Sequence, residues 1–131
     1  MIKLLSVPHS GTRFTRDALV RAGLKPSVDF LQQHFTGYNN HWIINEKMDC
    51  VTIIPQREKS EVIASWERRG RKDPNFDSCW AEMEKFIADN DDVYILHVDD
   101  PERRESELQA ISERIGIPLE ADFSVKVGHG I

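Results

Sequence analysis

Four short apolar runs, at 2–7, 28–33, 50–55 and 93–98, recur along this chain with helix-patterned segments between them. Short apolar runs of this kind suit strands buried on both faces. The helical segments are equally distinct. The first covers 12–22 and stops at Gly23, and the second, 59–69, carries Val62, Ile63 and Trp66 on one face and stops at Gly70. The third, 77–88, carries Trp80, Met83, Phe86 and Ile87 at helical spacing; the fourth, 102–115, is opened by Pro101 and ended by Gly116 and Pro118. Strands alternating with helices predict a parallel sheet joined by right-handed crossovers, an α/β fold. Such sheets take ligands at the carboxyl ends of their strands.

The turn after the first run is where a ligand is then expected. Its sequence, Pro8-His9-Ser10-Gly11-Thr12, leads directly into a helix beginning near Arg13. A strand, a tight turn and a helix N-terminus present backbone N–H groups and the positive end of the helix dipole to an anion. Gly11 allows close backbone approach, and the Ser10 and Thr12 hydroxyls can donate. The turn is not a Walker loop, because Thr12 and Arg13 follow Gly11 where that pattern needs lysine. The competing explanation is a plain strand-to-helix turn capped by Ser10 or Thr12.

The 131 residues, 40% of them hydrophobic, predict one compact domain spanning 1–131. A net charge of −5 argues against general binding to nucleic acid or anionic membranes. Cys50 and Cys79 have neither metal-ligand spacing nor a disulfide framework. The opening residues, soon interrupted by Pro8 and His9, do not read as a signal peptide, and no apolar run approaches a membrane span. A reduced, cytoplasmic protein is the expectation. The loops 37–41 and 70–75 and the tail 124–131 are expected to be irregular.

A second anion-friendly element follows the third run. Arg57 ends the strand, and Ser65 lies about two turns into the next helix. Two such elements from neighbouring strand–helix units suit a ligand with two separated phosphates. Here the chain resembles the P-loop sulfotransferases, which use 3′-phosphoadenosine-5′-phosphosulfate (PAPS). Pro8-His9-Ser10-Gly11-Thr12-Arg13-Phe14 is similar to that family's 5′-phosphosulfate loop, P-K-S-G-T-T-W or R-S-G-T-x-F. Arg57 and Ser65, eight residues apart, are similar to the pair that grips the 3′-phosphate. The segment 93–119 resembles the strand, acidic turn and helix ending in G-[LI]-P that closes many family domains.

The resemblance implies a three-layer P-loop NTPase-like fold with a central parallel sheet of about four to five strands. It implies that Ser10, Gly11, Thr12 and Arg13 hold the 5′-phosphosulfate, that Phe14 stacks on adenine, and that Arg57 and Ser65 bind the 3′-phosphate. His34, twenty-three residues before Arg57, takes the place of the catalytic histidine. A neutral imidazole can accept the acceptor hydroxyl's proton. The expected activity is sulfuryl transfer from PAPS to a hydroxyl or amine acceptor, without a metal, leaving adenosine 3′,5′-bisphosphate. The acceptor, a small molecule, glycan or peptide, is not named by any motif, and a partner subunit could complete so small a site. Two departures stand out. His9 replaces the loop's usual Lys or Arg, so that a protonated His9 or an inward Arg13 would have to steady the leaving group. The family's C-terminal basic-Gly loop is only echoed by Lys126-Val127-Gly128-His129-Gly130.

Blander explanations accompany each residue. His34 could be a solvated loop histidine, and His41 could equally serve as base. Arg57 could pair with Glu61 on a helix surface, a contact worth little, and Ser65 could bond its own helix backbone. Phe14 could belong to the core. Arg68, Arg69, Arg71 and Lys72 suit a helix C-terminus. Asp99 and Asp100 resemble the acidic strand end that holds Mg²⁺ in P-loop kinases and NTPases. A kinase and a non-catalytic bisphosphate-binding module are therefore the rival readings.

Overall fold

A computed structural model of the chain describes residues 2–8, 10–35, 51–68 and 75–120. Four strands, β1 (Ile2–Ser6), β2 (Phe30–His34), β3 (Val51–Gln56) and β4 (Val93–His97), form one sheet in the order β2-β1-β3-β4. Every pairing is parallel. Among the described residues four helices connect or follow them: α1 (Thr12–Arg21), α2 (Lys59–Arg68), α3 (Asn75–Asp89) and α4 (Pro101–Ile115).

Strand alternation divides the apolar residues between two cores. Ile2, Leu4, Val51, Ile53 and Leu96 join Phe14 and Leu19 of α1 and Leu108 and Ile111 of α4 on one side. Leu5, Val7 and Ile54 join Val62 and Trp66 of α2 and Cys79, Met83 and Phe86 of α3 on the other. One residue's step along β1 or β3 thus moves a side chain from one core to the other. Helices therefore cover both faces, the arrangement that an all-parallel sheet requires. All five residues of β1 are buried, which makes it the strand around which the layers close.

The expected elements are present with small shifts. The first core-facing residue of β2 is Phe30 rather than Val28, which is 66% exposed. A turn causes this: the Val28 and Asp29 N–H groups both donate to the Lys25 carbonyl, and Ser27 has a positive φ of 64°. The strand consequently runs one residue further and ends on His34, in register with Ser6 of β1. α3 begins before its expected start and adds Phe76 to an aromatic group with Trp66 and Trp80. Four strands agree with the expected count. The expected loop 37–41, Cys50, most of the loop 70–75 and the tail 124–131 lie outside the described residues.

α4 is delimited by chemistry visible in the sequence. Asp100 caps it, its Oδ1 accepting from the Glu102 and Arg103 N–H groups at 3.1 and 3.3 Å, and Pro101 occupies a first-turn position. At the other end Gly116 adopts φ 74°, a left-handed conformation that closes the helix and that glycine takes without a Cβ penalty. No helix among the described residues is long and apolar enough to cross a membrane. Removing the cap should be measurable: Asp100→Ala is expected to lower stability by about 1 kcal/mol in urea unfolding, with an unchanged m-value.

Candidate functional site

Strand order determines where a ligand can enter. From β1 the chain crosses to β2 on one side, and β3 lies against β1 on the other. The connections after β1 and β3 therefore diverge to opposite sides of the sheet, leaving a crevice between the two strand ends. The turn 8–11 leaves the end of β1, and Arg57 follows the end of β3. Both anion-friendly elements meet at this switch point.

The turn itself is tightly built. Gly11 is the N-terminal cap of α1, with φ 93° and no side-chain capping hydrogen bond. Neither Ser10 nor Thr12 serves as the cap that the bland explanation required. The first turn of α1 carries no acidic residue, so no carboxylate offsets the helix dipole there. The Gly11 carbonyl accepts from both the backbone N–H and the hydroxyl of Thr15, each at 3.1 Å. A β-carbon added at Gly11 would lie 2.6 Å from Cγ2 of Val98, the residue just after β4. Positive φ and this close approach both demand glycine. The sequence suggested that glycine makes room for a phosphate; the structure gives its vacant side to Val98.

Of the turn's hydroxyls, Ser10 and Thr12 differ. Thr12 Oγ1 lies 2.5 Å from Ser6 Oγ in a buried hydrogen bond that ties α1 to β1. Ser10 is 1% exposed, and its Oγ has no hydrogen-bond partner among the described residues. A buried hydroxyl left in that state costs about 1–3 kcal/mol. Arg13 is exposed on the first turn of α1. Phe14 is 8% exposed and packs in the core with Leu4 and Leu19, so its ring is a core side chain rather than an open platform for adenine. Its position on α1 turns it toward the sheet.

The second element is joined to the first. Trp66 of α2 donates from Nε1 to the Pro8 carbonyl oxygen at 2.7 Å, a buried bond between residues 58 apart in sequence. Its neighbour Ser65 is 2% exposed on the same sheet-facing side as Val62. Arg57 is 8% exposed, and its Nη2 lies 3.6 Å from Glu61 Oε2. The ion pair of the bland explanation therefore exists, but with a buried arginine and a half-exposed glutamate rather than two surface groups. His34 ends β2 on the far side of β1 and is exposed. Two strand spacings, about 10 Å, separate it from the end of β3. His9 and His41 lie outside the described residues.

The acidic strand end expected of a kinase is otherwise engaged. Asp99 Oδ2 accepts from the Glu58 N–H at 2.9 Å, just ahead of α2, and Asp100 caps α4. Sequence reasoning also missed a polar group at the end of β4: His97 contacts both Glu107 and Arg103. The available signal was the one used for His34, a histidine closing an apolar strand.

The Val98 contact gives a test of the turn. Gly11→Ala is expected to destabilise the protein by at least about 2 kcal/mol, from positive φ and overpacking together. Val98→Ala should relieve the overpacking part alone, so a double-mutant cycle should show favourable coupling between the two substitutions. Strict additivity would remove the contact from the account of this glycine. The chain matches no family model, no curated protein and no solved structure.

Proposed function

We propose that this chain binds PAPS in the crevice between β1 and β3 and transfers its sulfuryl group to a hydroxyl or amine acceptor, on a P-loop NTPase-like framework. The observation that carries the reading is Ser10. Its hydroxyl is buried, without a hydrogen-bond partner among the described residues, at the mouth of a helix that has neither a side-chain cap nor an acidic first turn. An anionic oxygen there would satisfy the hydroxyl and meet the positive end of the helix dipole. Arg57, buried at the neighbouring strand end, supplies a fixed positive charge suited to a second phosphate.

In this reading Ser10, the Gly11 turn, Thr12 and Arg13 hold the 5′ end, and Arg57 with Ser65 holds the 3′-phosphate. Thr12 Oγ1 can donate to an anion only when Ser6 Oγ is the donor in the bond between them, which makes Thr12 the more structural of the two hydroxyls. PAPS supplies an activated sulfuryl group. The chain's part is to fix both phosphates and to accept a proton. His34 is exposed at the strand end across β1, where an imidazole can take the acceptor's proton. Fixed donors and cations, rather than covalent intermediates, then stabilise the developing charge. No residue is assigned to adenine, since Phe14 lies in the core. The kinase alternative receives no support from Asp99 and Asp100, whose carboxylates hold α2 and α4 in place.

Calorimetry distinguishes the possibilities. Adenosine 3′,5′-bisphosphate is expected to bind without metal and more tightly than AMP or ATP–Mg²⁺; preference for ATP–Mg²⁺ would overturn the reading. Arg57→Ala should weaken the bisphosphate roughly tenfold to a hundredfold, the scale of a lost charge-assisted contact, and leave AMP nearly unchanged. Equal losses for both nucleotides would remove Arg57 from the 3′ site. His34→Ala should abolish acceptor-dependent sulfate transfer while preserving bisphosphate binding.

A further inference from the structure

We infer that Ser6 is a positioning residue of the crevice: its hydroxyl donates to Thr12 and so leaves the Thr12 hydroxyl hydrogen for an anion at the mouth of α1; the role toward the anion rests on the function proposed above. An apolar side chain would suit the place that Ser6 occupies. It is wholly buried on β1 between Leu5 and Val7, in a strand buried from end to end. By strand alternation its side chain shares the α1 face of the sheet with Leu4. Thr12 Oγ1 lies 2.5 Å from its Oγ, and neither hydroxyl has another hydrogen-bond partner among the described residues.

Counting hydrogens gives the direction of that bond. Each hydroxyl carries one hydrogen and accepts at its lone pairs, so one hydrogen lies between the two oxygens and one is left over. If Thr12 donated, the leftover hydrogen would sit on Ser6, which is 0% exposed, and no acceptor would receive it. His34, beside Ser6 in the register of β1 and β2, takes no hydrogen bond from the Ser6 hydroxyl. A donor sealed in without a partner is the costly arrangement. If Ser6 donates, the leftover hydrogen sits on Thr12, the first residue of α1, which keeps 9% of its surface exposed. Solvent or a ligand can take it there.

The helix mouth then holds two hydroxyl hydrogens with no acceptor among the described residues, those of Ser10 and Thr12, on either side of Gly11. The first turn of α1 has no carboxylate to receive them. They suit a group with several acceptor oxygens, such as a sulfuryl or phosphoryl group. A hydroxyl rotor has three staggered positions, and Ser6 selects among them for Thr12 before any ligand arrives. Ordering done in advance does not have to be supplied by binding. Ser6 thus acts through Thr12 and makes no contact with the anion itself.

Neutron diffraction from the deuterium-exchanged, ligand-free protein reads the direction of the bond. The expected result is a deuterium bonded to Ser6 Oγ on the line to Thr12, with the Thr12 deuterium off that line. The reverse arrangement would overturn the inference. Titration with inorganic sulfate reads the consequence. Thr12→Val, which replaces the hydroxyl by a methyl group, should weaken sulfate roughly tenfold, whereas Thr12→Ser keeps the hydroxyl and should bind as the parent does. Ser6→Ala should weaken sulfate roughly threefold, the number of rotor positions no longer selected. Combined with Thr12→Val it should change nothing further, because Ser6 acts only through that hydroxyl. An equal loss in both backgrounds would overturn positioning through Thr12. Failure of sulfate to bind the parent protein would overturn the function proposed above and the role toward the anion together. The deuterium positions decide the hydrogen bond in either case.

Discussion

Burial of β1 on both faces is the constraint on which everything else turns. A strand with neither face open to water needs a helix layer on each side and parallel neighbours to share its backbone hydrogen bonds. The chain meets that need by sending α1 and α4 to one face and α2 and α3 to the other. The same choice makes the connections after β1 and β3 part company. Diverging connections of this kind are what leaves a crevice at the carboxyl ends of two neighbouring strands. The site is thus a by-product of covering the sheet, and its polar groups have only to occupy a place that topology already leaves open.

What fixes the turn in that crevice comes from remote parts of the chain. Trp66 holds the Pro8 carbonyl from α2, and Val98 abuts Gly11 from the end of β4. The loop is thereby braced from both layers of helices, one contact through a hydrogen bond and one through close packing. For the phosphate role proposed for this turn such bracing is an advantage, since donors held in advance need no reorganisation when charge arrives.

The sequence made the elements legible because their determinants are local. Apolar runs, Gly116, Pro101 and Asp100 act within a few residues of themselves, and the strands and helices fall close to where these mark them. β2 starts later than its apolar run because Asp29 and Ser27 form a turn that overrides the apolar character of Val28. The site was legible as a set of residue types and only partly as an arrangement. Ser10, Arg57 and Ser65 stand in the two elements expected to carry them. Phe14 shows the limit: helical spacing says that it lies on a stripe, but which stripe faces the sheet depends on how α1 docks. The contacts of Trp66 with Pro8, Val98 with Gly11 and Glu107 with His97 join residues far apart or on separate elements, and no spacing rule announces them.

Glu107 has a consequence beyond its own neighbourhood. β4 is an outer strand of the sheet among the described residues, and the His97 N–H turns away from β3, toward the side where a further strand could attach. A carboxylate already accepts that N–H. An incoming strand from another molecule would have to displace a charged group before it could form its first rung there, and its own carbonyl oxygens would meet negative charge. A side chain on a covering helix thus guards the sheet against growing sideways, and discourages one copy of the protein from templating the next.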